Sequence, residues 1–162
     1  MYSLLLINLL LFTAQPSDDS KEAGYPSAWE QTTGKLAAPS GITVLNDGTL
    51  VTTEPSRHRL TFINANGSVS HSWGTPGQDP GQLHRPGGLD ASDDGTIAVA
   101  DTGNHRIQLF STDGLMLEAI PRPIGTDAPF SVPADVAISE ARLAVADTGN
   151  NLAVIMNRNG ST

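Results

Sequence analysis

Cysteine is absent from this chain of 162 residues. Without a thiol the chain cannot form a disulfide, a thiolate zinc site such as a RING domain, or a cysteine nucleophile. Aromatic residues are only 5% of the sequence, too few for a platform on which nucleic-acid bases stack. Basic residues are also scarce and dispersed, and the net charge of −8 repels phosphate backbones. We therefore expect no nucleic-acid partner.

Long apolar runs are missing as well. The nine residues Leu4–Phe12 are apolar apart from Asn8. A bilayer span needs about 20 residues, so we expect no membrane span. The run is typical of a signal peptide, predicted here over residues 1–15, and it favours a secreted or periplasmic location. A short buried strand, or a start codon inside a longer gene, would also explain it. Residues 16–33 read as a polar linker followed by one outer strand, because Trp29 precedes a Gly-containing link as Trp73 does.

The chain does contain an internal repeat of about 47 residues. Prolines recur at a spacing of 47, as Pro39, Pro86 and Pro133. An acidic residue recurs in the same phase at spacings of 47 and 46, as Glu54, Asp101 and Asp147. Landmarks that stay in phase over three copies indicate a repeat architecture, with repeats at 34–80, 81–124 and 125–162.

Each repeat contains short β-type runs separated by turn residues. In the second copy the runs are Gly88–Ala91, Thr96–Ala100, Arg106–Phe110 and Leu115–Ile120. Asp-Gly turns between them favour hairpins. Four antiparallel strands in every 40–50 residues are typical of a propeller blade. We predict an all-β protein, a β-propeller with three four-stranded blades of which the third is truncated, forming an incomplete ring or half of a six-bladed propeller.

One copy resembles a known family closely. The matching residues of the second copy are Gly81–Leu83, Pro86, Gly88–Asp90, Asp94–Gly95 and Val99–Ile107. Together they look like a full NHL repeat, a motif named after Asn-His-Leu and represented here by Asn104-His105. The resemblance implies a β-propeller, usually of six blades.

The repeated polar residues have two interpretations. Asp101 and Asp147 end the second strand of their copies, and Asn104 and Asn150 follow three residues later. Such residues could be ligand groups at the mouth of the propeller. We favour a structural role repeated once per blade, because Asp and Asn close tight turns through nearby backbone N–H groups. Arg106 is expected to pair with a carboxylate between blades.

Two enzyme classes can be compared with the sequence. Peptidyl-hydroxyglycine amidating lyases, which the chain resembles distantly, place zinc-binding His residues directly after the blade-opening proline. Ser40, Gly87 and Ala134 occupy those positions here, and no Tyr follows Asp101 in the turn where the resemblance implies the catalytic Tyr. Streptogramin lyases and lactonases, which have a similar architecture, gather metal ligands from several blades. We therefore predict no catalytic residue in this chain, and leave enzyme activity open.

Two places in the sequence have residues that could bind a metal ion. Asp90–Asp101 resembles a calcium-binding loop, but Asp stands at the twelfth position and β-type runs flank it. His58 and His105 occupy equivalent places in neighbouring copies and could approach each other, whereas His84 and His71 look like surface residues. Zinc needs more convergent ligands than one pair. We expect no cofactor, with calcium and zinc as the alternatives.

The function predicted from these features is a non-catalytic scaffold that binds a protein or peptide. The alternative is part of a metal-dependent propeller lyase or hydrolase whose active site is incomplete in this chain. RNA recognition, a role of the similar NHL domains of TRIM proteins, is disfavoured because residues 34–162 carry eight basic and thirteen acidic residues. Three blades do not close a ring. The chain is therefore expected to be a fragment of a longer protein, half of a homodimeric six-bladed ring, or an open arc.

Overall fold

The computed structural model describes residues 36–123 and 127–158. The predicted signal peptide at 1–15, the linker and the outer strand predicted before the first repeat lie outside the described residues. No helix in the described part of the chain is long and apolar enough to cross a membrane.

The described residues form three antiparallel sheets, each built by one sequence repeat. Blade 1 contains β1 (Ile42–Val44), β2 (Leu50–Glu54), β3 (Arg59–Ile63) and β4 (Val69–Trp73). Blade 2 contains β5 (Leu89–Ala91), β6 (Ile97–Asp101), β7 (Arg106–Phe110) and β8 (Met116–Ile120). Blade 3 contains β9 (Pro133–Ile138), β10 (Arg142–Asp147) and β11 (Leu152–Asn157), three strands within the described range. The predicted all-β propeller fold is confirmed, and the strands of blade 2 start and end within one residue of the predicted runs.

Tight turns set the register of each blade. Gly95 has φ +81°, a conformation that side chains disfavour, and its N–H donates to the carbonyl of Ser92 at 2.9 Å. Blade 3 lacks this glycine, and its turn is one residue shorter. There Ser139 and Arg142 close the hairpin, with the Arg142 N–H donating to Ser139 Oγ at 3.1 Å. The strands on either side of the shortened turn keep their pairing.

A single 3-10 turn follows the second strand of every blade, and it ends on a residue in the left-handed region. These residues are His58, His105 and Asn151, with φ of 54°, 55° and 55°. His and Asn are among the non-glycine residues that adopt this conformation most readily. The turn reverses the chain at the same place in each blade, so the residues around it occupy equivalent positions on one side of the propeller.

The apolar core lies between the blades. One cluster joins blades 1 and 2, and a second cluster joins blades 2 and 3. Alternate residues of β6 belong to different clusters, since Ile97 and Val99 contact the first and Ala98 and Ala100 the second. Side chains of a strand point alternately to the two faces of its sheet. Blade 2 therefore buries both of its faces, and every residue of β6 is buried.

We expect Leu60→Ala to lower the free energy of unfolding by about 2–5 kcal/mol, because it opens a cavity between blades 1 and 2. The side chain of Leu60 is fully buried. Leu117, which is 51% exposed on β8, provides the control, and Leu117→Ala should change the free energy by less than about 0.5 kcal/mol. Urea unfolding of the two variants measures both values. Equal losses would contradict a core located between the blades.

Candidate functional site

A buried carboxylate connects the chain entering blade 2 to the blade itself. Asp101 Oδ1 accepts a hydrogen bond from the His84 N–H at 2.7 Å. Its Oδ2 accepts bonds from Asn104 Nδ2 at 2.8 Å, Arg106 Nε at 2.8 Å and Gln108 Nε2 at 2.9 Å. The carboxylate is fully buried, so these donors replace the water that it would otherwise bind. Asp101 thus joins the connector, the 3-10 turn and β7.

Arg106 pairs with a carboxylate of its own blade, so the predicted pairing between blades is wrong. Antiparallel pairing of β6 with β7 places Arg106 directly opposite Asp101. The remaining guanidinium N–H groups donate to the carbonyls of Gln78, Asp79 and Gln82 in the connector that leads into blade 2, at 2.8–2.9 Å. The arginine therefore fixes the shape of the connector, and its planar set of donors matches several carbonyls at once.

Glu54 is the counterpart of Asp101 in blade 1. It is fully buried and accepts bonds from the Ala37 N–H at 2.6 Å, Arg57 Nη1 at 2.8 Å, Arg59 Nε at 2.8 Å and Thr61 Oγ1 at 2.5 Å. Burial alone would raise the pKa of Glu54, but the bonds from Thr61, Ala37 and Arg59 outweigh it and lower the pKa below its ordinary value of 4.5.

Asp147 holds the same position in blade 3 with fewer donors. It accepts bonds from the Ser131 and Val132 N–H groups, both at 3.0 Å, and from Asn150 Nδ2 at 2.7 Å. Leu152 stands where blade 2 has Arg106. The contact shared by the three blades is therefore the one between the carboxylate and a backbone N–H of the entering connector. These carboxylate oxygens are engaged by donors within the protein.

The repeated prolines lie where each connector enters its blade. Pro133 begins β9, and Pro39 and Pro86 stand three residues before the innermost strands β1 and β5. Ala38 and Arg85, which precede the latter two prolines, both adopt positive φ, at 48° and 50°.

The innermost strands β1, β5 and β9 line a cleft of about 530 Å³. Small residues border it, among them Ser40 and Ala134, which the sequence analysis placed where the amidating lyases have zinc ligands. Close packing explains the glycine at position 88, because a Cβ there would lie 2.9 Å from the Cα of Asp135. The cleft thus lies where the innermost strands of the three blades meet.

Two aspartates in the cleft differ in their surroundings. Asp90 Oδ1 accepts a bond from Thr43 Oγ1 at 3.1 Å, and its Oδ2 accepts one from the Ile138 N–H at 2.9 Å. Asp90 therefore connects the innermost strands of all three blades. Asp135 is exposed, and its Oδ1 accepts a bond from the adjacent Val136 N–H at 3.0 Å. The cleft accordingly presents one exposed carboxylate, that of Asp135, beside a second that cross-links the strands.

The stretch that resembles a calcium loop forms β5, a hairpin turn and β6. Within the turn, Asp94 accepts bonds from Ser92 Oγ at 2.6 Å and the Thr96 N–H at 3.0 Å. It also pairs with Arg158 of blade 3 at 2.8 Å. The Ser92 hydroxyl, followed by the Thr96 N–H, holds the pKa of Asp94 well below its usual range. The carboxylate thus stabilises the turn and its contact with blade 3.

His58 and His105 occupy equivalent places in neighbouring blades, but each has a different contact. His58 stacks on His84, with ring centroids 5.3 Å apart, and His58 Nδ1 accepts a bond from the Arg85 N–H at 3.0 Å. His105 contacts the carbonyl of Ser131 instead. His84 was expected at the surface, but it is half-buried because its N–H binds the Asp101 carboxylate. Across 36–123 and 127–158, no group of three or more His, Cys, Asp or Glu residues could hold a metal ion.

A family model for the NHL repeat matches residues 83–110, which run from the connector through the end of β7. This stretch is similar to the NHL repeat. This confirms the resemblance of the second copy to the NHL propellers. No curated protein sequence is significantly similar to the chain.

Solved structures show the same fold around the NHL blade. A streptogramin B lyase matches with a TM-score of 0.61 and 18% identity, over 80% of this chain and 40% of that protein. A virginiamycin B lyase from Staphylococcus aureus matches with a TM-score of 0.60 and 18% identity, over 80% of this chain and 41% of that protein. A gluconolactonase from Xanthomonas campestris matches with a TM-score of 0.55 and 17% identity, over 76% of this chain and 38% of that protein. At these identities the matches establish the fold, and the chain spans about two fifths of each relative.

Sequence reasoning missed two residues of the site. Gln108 shares the Asp101 carboxylate with Arg106, and Asp90 joins the three innermost strands. Neither residue recurs in the other two copies. Thr61 and Val154 replace Gln108, and Thr43 and Ala137 replace Asp90. A search for repeated residues therefore had no signal at either position.

We expect Asp101→Asn to lower the free energy of unfolding by about 3–5 kcal/mol, because it leaves the largely buried Arg106 guanidinium without its counter-charge. Asp113, exposed in the turn between β7 and β8, is the matched control. Asp113→Asn should shift the value by less than about 0.5 kcal/mol. Chemical denaturation monitored by circular dichroism compares the two. Similar stability of both variants would show that the buried carboxylate is dispensable.

The lowered pKa of Glu54 predicts a pH-dependent contribution to stability. The ionised carboxylate stabilises the fold fully above its ordinary pKa of 4.5, and this contribution is lost as the pH falls through the lower folded pKa. The gap in unfolding free energy between wild type and Glu54→Gln should therefore be widest near neutrality and shrink in acid. Urea titrations at several pH values, with Asp113→Asn as control, measure it. A gap that stays constant with pH would refute the prediction.

Proposed function

We propose that this NHL-repeat chain is a non-catalytic scaffold whose inner-strand cleft binds a segment of a protein or peptide. The observation that supports this role is the cleft itself, which is open and lies where three blades meet. The repeated carboxylates are engaged in holding each connector to its own blade, so the cleft presents a different and non-repeated set of side chains.

The chemistry of the cleft favours a particular kind of segment. Ile42, which is 64% exposed, and Ala137 offer apolar contacts, while Asp135 offers a carboxylate at the surface. The chain as a whole has a net charge of −8, which attracts cationic ligands over a longer range. A segment with a Lys or Arg next to an aliphatic residue satisfies both features.

Selection from a randomised peptide library, followed by calorimetry on the selected peptides, tests this role. We expect enrichment of peptides with a basic residue beside aliphatic ones. Asp135→Asn should weaken their binding about tenfold, the loss of one charge-assisted contact. Asp113→Asn, which removes an equal charge far from the cleft, should leave binding unchanged. Absence of enrichment, or equal weakening by both variants, would refute the cleft as the binding site.

The alternative function is part of a metal-dependent propeller lyase or hydrolase completed by further blades. It is supported by a fold shared with proteins described as streptogramin B lyase and gluconolactonase. Metal analysis of the purified chain separates the two proposals. Stoichiometric zinc or calcium would favour the hydrolase or lyase, and metal-free protein that still binds the selected peptides would favour the scaffold.

We also propose that the chain is exported. The support is the apolar run Leu4–Phe12, whose nine residues fit the hydrophobic region of a signal peptide, and the polar residues that follow it. Expression with and without residues 1–15, followed by cell fractionation, tests the proposal. Export of the shortened chain would contradict it.

A further inference from the structure

Four basic residues lie together where blade 1 meets the connector that enters blade 2. His58 ends the 3-10 turn of blade 1, directly after Arg57. Its Nδ1 accepts a hydrogen bond from the Arg85 N–H at 3.0 Å, and its ring stacks on that of His84, with ring centroids 5.3 Å apart. We call these four residues the basic patch. Both arginines are exposed in it, and both histidines are half-buried.

The repeat shows that the fold does not require these arginines. At the junction of blades 2 and 3, 47 residues later, Asn104 takes the place of Arg57 and Val132 the place of Arg85. In blade 1 the place of Arg85 is taken by Ala38, which has nearly the same φ, 48° against 50°. That backbone conformation favours glycine or asparagine over arginine. The guanidinium at position 85 is therefore not explained by the geometry of the connector.

The basic patch carries more positive charge than the carboxylate beside it neutralises. Arg57 and Arg59 share one carboxylate, that of Glu54, each at 2.8 Å. The Arg85 guanidinium forms no ion pair with another residue in the described ranges. These three guanidinium groups and one carboxylate leave a local excess of two positive charges, in a chain whose net charge is −8.

His58 adds a hydrogen-bond donor to the patch. A neutral imidazole carries one N–H. Because Nδ1 of His58 accepts a bond, its proton lies on Nε2, which has no acceptor within 36–123 and 127–158. His105 differs in this respect, since its Nδ1 contacts a carbonyl and therefore donates. An N–H donor and an unpaired guanidinium on two residues in contact are the groups that bind a carboxylate.

We propose that the basic patch binds an acidic segment of a partner protein through one or two carboxylates. Arginine matches the two oxygens of a carboxylate with parallel N–H donors. A long polyanion is disfavoured, because the net charge of −8 repels it outside the patch. A segment with one or two acidic residues meets the local positive charge and little of that repulsion. The proposal does not rest on the inner-strand cleft, since no residue of the patch lines it.

Calorimetry of the full chain with a short, end-blocked peptide that contains two adjacent glutamates tests the proposal. We expect binding that weakens as salt is added, and no binding of the same peptide with glutamines. Arg85→Ala should weaken binding at least about tenfold, through the loss of one charge-assisted contact. This variant should remain folded, because Ala38 adopts the same backbone conformation in blade 1.

Two further variants sharpen the test. Arg57→Asn introduces the residue that blade 2 has at this place, and it should also weaken binding. Arg142→Ala is the matched control, since it removes an equal charge from an exposed arginine at the other end of β10 from its 3-10 turn. It should leave binding unchanged. Circular dichroism of each variant verifies the fold.

Equal binding of the glutamate and glutamine peptides, or of neither, would overturn the proposal. So would equal weakening by Arg85→Ala and Arg142→Ala. Inorganic phosphate that binds as tightly as the glutamate peptide would also overturn it, because the patch would then be a site for small anions. Asp135→Asn in the cleft should leave binding of the glutamate peptide unchanged, so failure of the patch and failure of the cleft are distinguishable.

Discussion

The structure depends on a contact made once in each blade, between a buried carboxylate and a backbone N–H of the entering connector. Glu54, Asp101 and Asp147 make it at the end of the second strand. An uncompensated buried charge is very unfavourable, so the carboxylate is stable there only when donors surround it. The carboxylate needs the backbone N–H of the connector as a donor, and the same hydrogen bond holds the connector in place. The connector in turn sets where the innermost strand that follows it starts.

Other features of the propeller follow from that arrangement. With the connectors held, β1, β5 and β9 run side by side, and Asp90 joins them across the cleft. The sheets then stack face to face, which buries both faces of blade 2 and one face of blade 3. Blades of a propeller support each other much as units of other repeat proteins do. The face of blade 3 turned away from blade 2 accordingly has its counterpart in the face of blade 2 that is buried against blade 3.

Much of the fold could be predicted because its signals are local and repeated. Turn residues such as those around Gly95 define hairpins over a few positions, and apolar alternation identifies strands without knowledge of their neighbours. The Asp101–Asn104 contact spans only three residues, so a structural role was a reasonable hypothesis. The partner of Arg106 could not be predicted from residues close to it in the sequence. Its pairing with Asp101 depends on the register of β6 and β7, and its carbonyl partners lie 24–28 residues away.

The sequence by itself determined the blade, its strands, its turns and its repeat length, because these depend on neighbours along the chain. Only the tertiary structure decided which aspartates are engaged and which face solvent. Asp90 and Asp135 are both acidic residues of innermost strands, yet one cross-links three strands and the other is exposed. The difference arises because Thr43 and Ile138 reach Asp90 from other blades, 47 and 48 residues away, and contacts over such distances exist only after the sheets have packed.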